Sequence, residues 1–269
     1  KELVRKRLRL ELDQESGACP LLELATLGGL KLSLAGEAVA RTDEFSRTQR
    51  ECLALLAAVP DHRVPQEEVQ LTFWPDKSPE KARSTLDTML SRLRRNLQEK
   101  LKPYPVKKYL KMQKGVLSVE NVIVDSVELS HGINRAREHM RRREFWQADV
   151  AFTIAFSCWN GLFMPGSCSA DQSADYARKL HQLCIDGSLD WCGLLNESGQ
   201  TSRAIGILTH ALSTDRSNES LMRALYRSHM RDGNITTAHQ LLQQFENQFR
   251  ADGYTPSETA RIITSFKSS

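Results

Sequence analysis

The chain has 269 residues, of which 40% are hydrophobic and 26% charged, a composition ordinary for globular proteins and long enough for two domains. No apolar run approaches the roughly 18 residues of a membrane span, and no signal peptide is recognisable, so neither an integral membrane protein nor a secreted one is predicted. The net charge of +4 is unevenly spread, because residues 79–114 hold eleven Lys and Arg against three acids. This segment therefore carries +8 and the remainder −4, which predicts a polyanionic partner. The first residue is Lys1 and not Met, which allows the chain to be a fragment of a longer protein.

The N-terminal part predicts an extension followed by a small antiparallel sheet. Residues 1–20 alternate charges and leucines, and we interpret them as an N-terminal extension or linker. In residues 21–39 apolar and polar side chains alternate around Gly28-Gly29 and before Gly36, the period-two pattern of strands. The Gly-Gly pair is interpreted as a hairpin turn, because no Lys-Ser/Thr follows it as in a phosphate-binding loop.

Three helices and a hairpin are predicted next, in the segments 46–59, 65–74, 77–101 and 106–120. Ser46 stands where an N-cap of the first helix is expected, and Pro60-Asp61-His62 ends that helix. Pro65 begins the second helix, and the prolines of Lys102-Pro103-Tyr104-Pro105 end the third. The hairpin is expected to turn at Lys114-Gly115.

The second half of the chain is predicted to be helical and to contain a repeat. Segments 198–212 and 232–246 align at an offset of 34 residues, with Gly199 matching Gly233 and Ala204 matching Ala238. A fainter copy places Ala148 at the corresponding position. Glycine in the inter-helix turn and a small residue at the helix crossing are typical of tetratricopeptide repeats.

The third predicted helix has two faces of different character. Its apolar arc is formed by Leu86, Leu90, Leu93 and Leu97. Its opposite arc is formed by Lys81, Ser84, Thr88, Ser91, Arg92 and Arg95. A merely solvated face would interleave Glu with Lys at i, i+4, but acids are scarce here. The pattern favours a recognition helix for duplex DNA over single strands, because the basic element is a long helix without exposed aromatic platforms.

The predicted DNA contacts divide into base contacts and phosphate contacts. On the helix they are Lys81, Arg83, Ser84, Thr85, Thr88, Ser91, Arg92, Arg94 and Arg95, and on the hairpin Lys107, Lys108, Lys111 and Lys114. The short hydroxylic side chains let the helix lie close to base edges, whereas the arginines and lysines mainly hold phosphates.

Catalytic and cofactor motifs are not recognisable. The histidines form no H-x-x-x-H or H-E-x-x-H set, the cysteines no C-x-x-C pair, and there is no G-x-S-x-G or P-loop. We therefore predict no enzyme activity, no cofactor and no metal. The alternative to a DNA-binding regulator is a repeat-type scaffold that binds a protein partner.

The order of these segments resembles a known family. The stretch from "SRTQRECLALL" to "SRLRRNL" resembles the OmpR-type winged helix of the Streptomyces antibiotic regulatory protein family, through the helix containing Leu53 and Leu56, the Trp74-Pro75-Asp76 turn and the ending 91–97. The part from "VDSVELSHG" through "CWNGLF" to the repeats resembles the bacterial transcriptional activator domain. Two departures are Val116 after Gly115, where Gly-Tyr is common, and Leu129 in place of an aromatic residue.

The resemblance implies a mainly α protein with a small β part: an α+β winged helix-turn-helix domain with a four-stranded sheet at 21–120, then an all-α tetratricopeptide-like repeat domain at 121–269. It implies a transcriptional activator that binds double-stranded promoter DNA, is cytoplasmic and nucleoid-associated, and has no membrane partner. It further implies contact with RNA polymerase through Asp76, Lys77 and Ser78, and a homodimer through the helical domain.

Overall fold

The protein is described by a computed structural model covering residues 19–267, so nearly all of the predicted extension 1–20 lies outside the described residues. The chain forms two compact units that interleave along the sequence. The first holds the described residues up to Ser130 together with Cys158–Leu180, and the second holds His131–Ser157 and the residues from His181 onward. The predicted domains 21–120 and 121–269 are continuous segments of the sequence, whereas these units interleave, so the domain boundary stays a prediction.

The first unit contains a winged helix. Its strands are β1 (Leu22–Ala25), β2 (Lys31–Leu34), β3 (Glu37–Arg41), β4 (Arg63–Pro65), β5 (Leu110–Gln113), β6 (Val116–Val119) and β7 (Val122–Val124). Its helices are α1 (Arg47–Ala58), α2 (Gln66–Phe73) and α3 (Pro79–Lys100). This confirms the predicted order of sheet, three helices and hairpin.

The N-terminal sheet has the strand order β3-β2-β1-β7. Leu24 pairs with Leu32 across the antiparallel β1–β2 ladder and with Val124 across the parallel β1–β7 ladder. β7 was not predicted from the sequence pattern, because three consecutive apolar residues show neither the period of a strand nor that of a helix. Gly28 and Gly29 have φ of +83° and +145°, so the predicted hairpin turn is confirmed.

Two features of the helices follow directly from the sequence. The Ser46 hydroxyl accepts a hydrogen bond from the Gln49 backbone, while the Gln49 side chain accepts one from the Ser46 N–H, which is a capping box at the start of α1. On α3, the leucine arc is almost completely buried, as Leu86 and Leu93 at 0% exposure illustrate. Burying each leucine stabilises the domain by about 1.5–3 kcal/mol and fixes which face of α3 remains outside.

The wing differs from the prediction in two details. The β5–β6 hairpin has a third strand, since β4 pairs with β6 in the order β4-β6-β5. Lys107 and Lys108 belong to the 3-10 turn Val106–Lys108 before β5, and not to the hairpin as predicted. The reason is Gln98, whose side chain donates to the Tyr104 carbonyl and accepts from the Val106 N–H, and so holds the chain in a turn after α3.

The segment Cys158–Leu180 completes the first unit. The Gly28 N–H donates to the Leu162 carbonyl at 2.8 Å, and the Met164 N–H donates to the Thr26 carbonyl at 2.7 Å. Trp159 is buried, so the loop around it has a packing role.

The remaining helices follow in chain order. They are α4 (Asp125–Arg141), α5 (Phe145–Phe156), α6 (Asp171–Glu197), α7 (Thr201–Thr214), α8 (Glu219–Arg231), α9 (Ile235–Ala251) and α10 (Pro256–Lys267). Ala148, Ala204 and Ala238, the residues aligned by the repeat, are all at 0% exposure. Small side chains there let neighbouring helices approach closely. The predicted fold class, a winged helix and a tetratricopeptide-like helical domain, is confirmed.

The inter-helix turns of the repeat share one backbone geometry. Gly199 and Gly233 lie in the left-handed region, with φ of +73° and +77°. Arg143 occupies the same position before α5 with φ of +60°. There the Glu144 N–H donates to the His139 carbonyl five residues back, the bond that the other two turns also form. The third copy therefore keeps the turn but lacks the glycine.

Among the described residues, no helix is both long and apolar enough to cross a membrane.

Candidate nucleic-acid interface

The outward side of α3 forms a ridge between two depressions. The ridge consists of Ser84, Thr88, Arg92 and Arg95, spaced four, four and three residues apart, and these four side chains line both depressions. The depressions have volumes of about 610 and 760 Å³. These four side chains thus separate the two depressions on the exposed face of the helix.

Different side chains line the two sides of the ridge. The first depression includes Ser46 and Thr48 from the start of α1, together with Trp74 from the end of α2. The second includes Arg83 and Asp87, on the other flank of α3. A nucleic-acid backbone along the first side would meet hydroxyl groups, and along the second it would meet Arg83 together with the carboxylates of Glu80 and Asp87.

The two threonines of α3 have different surroundings. The Thr88 hydroxyl donates to the Ser84 carbonyl at 2.9 Å, and the Thr88 side chain lies on the exposed ridge. The Thr85 hydroxyl donates to the Lys81 carbonyl at 2.7 Å and accepts from the Lys77 ammonium at 2.9 Å. Thr85 is half-buried and lines only the first depression, so it lies beside the ridge and not on it.

Most of the predicted phosphate contacts are open to solvent. The exposed cations are Lys81, Arg83, Arg92, Arg95, Lys107, Lys108 and Lys114. Arg94 is half-buried on the flank of α3. Lys100, part of the same basic island, is ion-paired with Glu44, so the island is partly neutralised from within the fold.

Lys111 differs from the other wing lysines because it is engaged within the domain. Its ammonium is paired with the Glu120 carboxylate, which also receives Arg63 at 3.3 Å and the Ser118 hydroxyl at 3.2 Å. The hydrogen bond from Lys111 is the main reason that the pKa of Glu120 lies below its ordinary value. The predicted role of Lys111 as a phosphate contact therefore competes with an existing carboxylate partner.

The loop between α2 and α3 contains the predicted polymerase contacts. Asp76 and Ser78 are exposed. The Lys77 ammonium lies 5.9 Å from the centre of the Trp74 ring and donates to Thr85, so it is directed back toward α3. All three predicted side chains are thus exposed, and the Lys77 ammonium is in addition hydrogen-bonded to Thr85.

The residues at this surface that sequence reasoning missed include Ser46, Thr48, Trp74 and Asp87. Asp87 could have been found from the helical wheel, which places it beside Thr88. The side chains from α1 and α2 could not, because their approach to α3 depends on how the helices pack.

The described residues contain no group of three or more His, Cys, Asp or Glu side chains arranged to hold a metal ion. Burial raises the pKa of the Cys52 thiol to about 12, as it does for Cys192, so these thiols are core side chains.

Comparison with known proteins links both units to characterised folds. Residues 124–263 match the model of the bacterial transcriptional activator domain. Among solved structures, the chain is similar to Mycobacterium tuberculosis EmbR, determined in complex with a low-affinity phosphopeptide, with 18% identity and a TM-score of 0.62. The match covers 91% of this chain but only 64% of the EmbR chain.

A second similar structure is the C-terminal TPR-containing domain of a Plasmodium falciparum FK506-binding protein, with 15% identity, a TM-score of 0.36, and coverage of 53% of this chain and 87% of that one. No curated protein sequence matches the chain.

Proposed function

The chain belongs to the family of the bacterial transcriptional activator domain, a family of transcriptional regulators, and from this premise we propose that it activates transcription by binding duplex promoter DNA through α3. The observation that carries the proposal is the ridge Ser84–Thr88–Arg92–Arg95, held outward by the buried leucine arc and flanked by exposed cations. A helix with one packed face and one basic, hydroxylic face fits the major groove.

The proposed contacts follow from where the side chains lie. Ser84, Thr88 and Ser91 are short and exposed, so they face base edges, and Arg92 and Arg95 extend from the ridge to guanine edges or phosphates. The phosphate contacts are Lys81, Arg83, Arg94, Lys107, Lys108 and Lys114. Lys111 is assigned to the internal structure of the wing, because Glu120 already binds its charge.

The remaining partners belong to the same proposal. Asp76, Lys77 and Ser78, all exposed on the loop before α3, are the proposed contacts with RNA polymerase, and Lys77 also donates a hydrogen bond to Thr85 of the helix. A homodimer through the helical domain is supported by Trp146 and Ile154 on α5, which are 71% and 55% exposed. Large apolar side chains that are this exposed are available for contact with another protein chain. The proposed location is the cytoplasm, associated with the nucleoid.

Fluorescence anisotropy with a labelled duplex tests DNA binding directly. We expect random-sequence duplex to bind at low salt, with log K falling linearly as log salt rises. Arg92→Ala and Arg95→Ala should each weaken binding, whereas Arg231→Ala, which removes an exposed cation from the helical unit, should not. Equal effects of all three substitutions, or an affinity that does not change with salt concentration, would contradict the proposal.

The alternative is a helical scaffold that recognises a protein partner without specific DNA binding. The exposed apolar side chains of α5 are the observation in its favour. The two functions are separated by one pair of measurements, since Trp146→Ser should leave duplex binding unchanged and Arg92→Ala should abolish most of it if the chain is a DNA-binding regulator. Duplex binding that is absent, or that Arg92→Ala leaves unchanged, would favour the scaffold.

A further inference from the structure

We propose that Thr88 determines part of the operator sequence by contacting the C5-methyl group of a thymine with its own methyl group. The inference rests on the proposed DNA binding by α3 and adds a specificity-determining residue to it. Three observations support it: the position of Thr88, the bonding of its hydroxyl, and the chemistry of its neighbours on the ridge.

Thr88 is exposed and lies within the ridge of α3. It lines both depressions, as do Ser84 one turn before it and Arg92 one turn after it. Because Ser84 and Thr88 are short, the helix backbone can approach a groove floor most closely at this part of the ridge. A side chain here meets base edges before it meets phosphates, which lie on the groove walls.

The hydroxyl proton of Thr88 is already engaged in a hydrogen bond. It donates to the Ser84 carbonyl at 2.9 Å, within the helix. A hydroxyl has one proton, so Thr88 cannot donate to a base acceptor such as guanine O6 without giving up this bond. What it still offers is its methyl group and the lone pairs of its oxygen.

In the major groove, only thymine presents a methyl group, and the contact of a threonine methyl with it is an established form of base readout. The other members of the ridge cannot supply this contact, because serine lacks a methyl group and the two arginines present charged donors. Thr88 is therefore the ridge residue suited to an apolar base contact.

Thr85 provides a matched control on the same helix. Its hydroxyl also donates to a backbone carbonyl four residues earlier, that of Lys81. It differs in being half-buried, off the ridge and bonded to Lys77. Thr85→Ser and Thr88→Ser remove the same methyl group from the same kind of helical site, and only the second removes it from the ridge.

The experiment is a double-mutant cycle in which one methyl group is removed from the protein and one from the DNA. A duplex is first selected from a random library with the unsubstituted chain, and each thymine in it is then replaced singly by deoxyuridine, which lacks only the C5-methyl. Affinity is measured by anisotropy for the unsubstituted chain and for Thr88→Ser, Thr85→Ser and Thr88→Val. Thermal melts of the three variants check that each is folded.

We expect one thymine at which deoxyuridine weakens binding about fourfold, the effect of removing one buried methyl-sized group. Thr88→Ser should weaken binding similarly and remove the sensitivity to deoxyuridine at that position, a coupling that only contacting groups show. Thr88→Val keeps a methyl group and should retain the sensitivity, and Thr85→Ser should behave like the unsubstituted chain.

The inference is overturned if no thymine couples to Thr88, or if Thr88→Val loses the sensitivity, which would assign the contact to the hydroxyl oxygen. In either case DNA binding through α3 stands, provided that Arg92→Ala weakens it. If the unsubstituted chain selects no duplex at all, the proposed function fails and the inference fails with it.

Discussion

Lys114→Gln and Lys111→Gln should have different effects on DNA binding, although each removes one positive charge from the same wing hairpin. Lys114 is exposed at the hairpin turn, where φ is +49° for Lys114 and +75° for the following Gly115. Lys111 is half-buried and paired with Glu120. Among the described residues no carboxylate pairs with Lys114, whereas Glu120 pairs with Lys111, so only Lys114 should release a counterion when DNA binds.

The size of the difference follows from counterion release. Each phosphate contact with duplex DNA contributes about −0.9 to the slope of log K against log salt. Losing the Lys114 contact should make the slope shallower by that amount, so the ratio of wild-type to variant affinity should fall about 3.5-fold between 50 and 200 mM salt. Lys111→Gln should leave the slope unchanged and instead reduce stability by about 0.2–1 kcal/mol through loss of the pair with Glu120.

The assay is a salt titration of duplex binding by anisotropy, with urea unfolding of the same three proteins as a second readout. The reasoning is refuted if Lys111→Gln changes the slope as much as Lys114→Gln does. It is also refuted if neither variant changes the slope, because the wing would then lie away from the phosphates.

Three further predictions concern stability. Arg143→Gly should stabilise the protein by about 1 kcal/mol in urea unfolding, because glycine adopts the left-handed φ of +60° without the cost of a Cβ. Gly28→Ala should destabilise it by about 2–4 kcal/mol, because φ is +83° and the new Cβ would lie 2.6 Å from the Asn160 carbonyl oxygen. Burial acts to raise the pKa of Asp149, but hydrogen bonds from Arg203 and Trp191 outweigh it, so the pKa lies below its ordinary value of 3.8. Asp149→Asn should therefore cost stability at pH 7, and this cost should disappear as the pH falls below that value and through the folded-state pKa.

Each of these predictions has a control. Arg141→Gly, at the last residue of α4, should destabilise the protein, because glycine is unfavourable in a helix. If it stabilised the protein as much as Arg143→Gly does, the left-handed conformation of Arg143 would not be the cause. In Gly115→Ala the new Cβ has no atom within 4 Å. This substitution should therefore reduce stability by less than Gly28→Ala, and the difference is the contribution of the steric clash. For Asp149→Asn, a stability difference that stays constant from pH 7 to pH 3 would show that the ionisation of Asp149 does not contribute to folding stability.

Much of the fold could be predicted because its signals are local. The leucine arc of α3 repeats with the period of one helix, so the sequence alone predicts which face packs and which face is left for a partner. The capping box at Ser46 and the turns at Gly199 and Gly233 are likewise formed by hydrogen bonds between residues three to five positions apart, so a short stretch of sequence is enough to predict them. The family resemblance rested on the order of these local features, and the match of residues 124–263 agrees with it.

What only the tertiary structure decided depends on residues distant in sequence. β7 pairs with β1 across about a hundred residues, and three apolar residues cannot specify that partner by themselves. Lys111 and Lys114 read alike in the sequence, and Glu120 distinguishes them only because the β5–β6 hairpin brings that carboxylate to one of them. Thr85 and Thr88 also read alike, and the Lys77 loop sets them apart. The sequence therefore determined that α3 presents a basic, hydroxylic face, whereas packing decided which of its side chains remain available to DNA, because availability depends on neighbours that a local pattern does not contain.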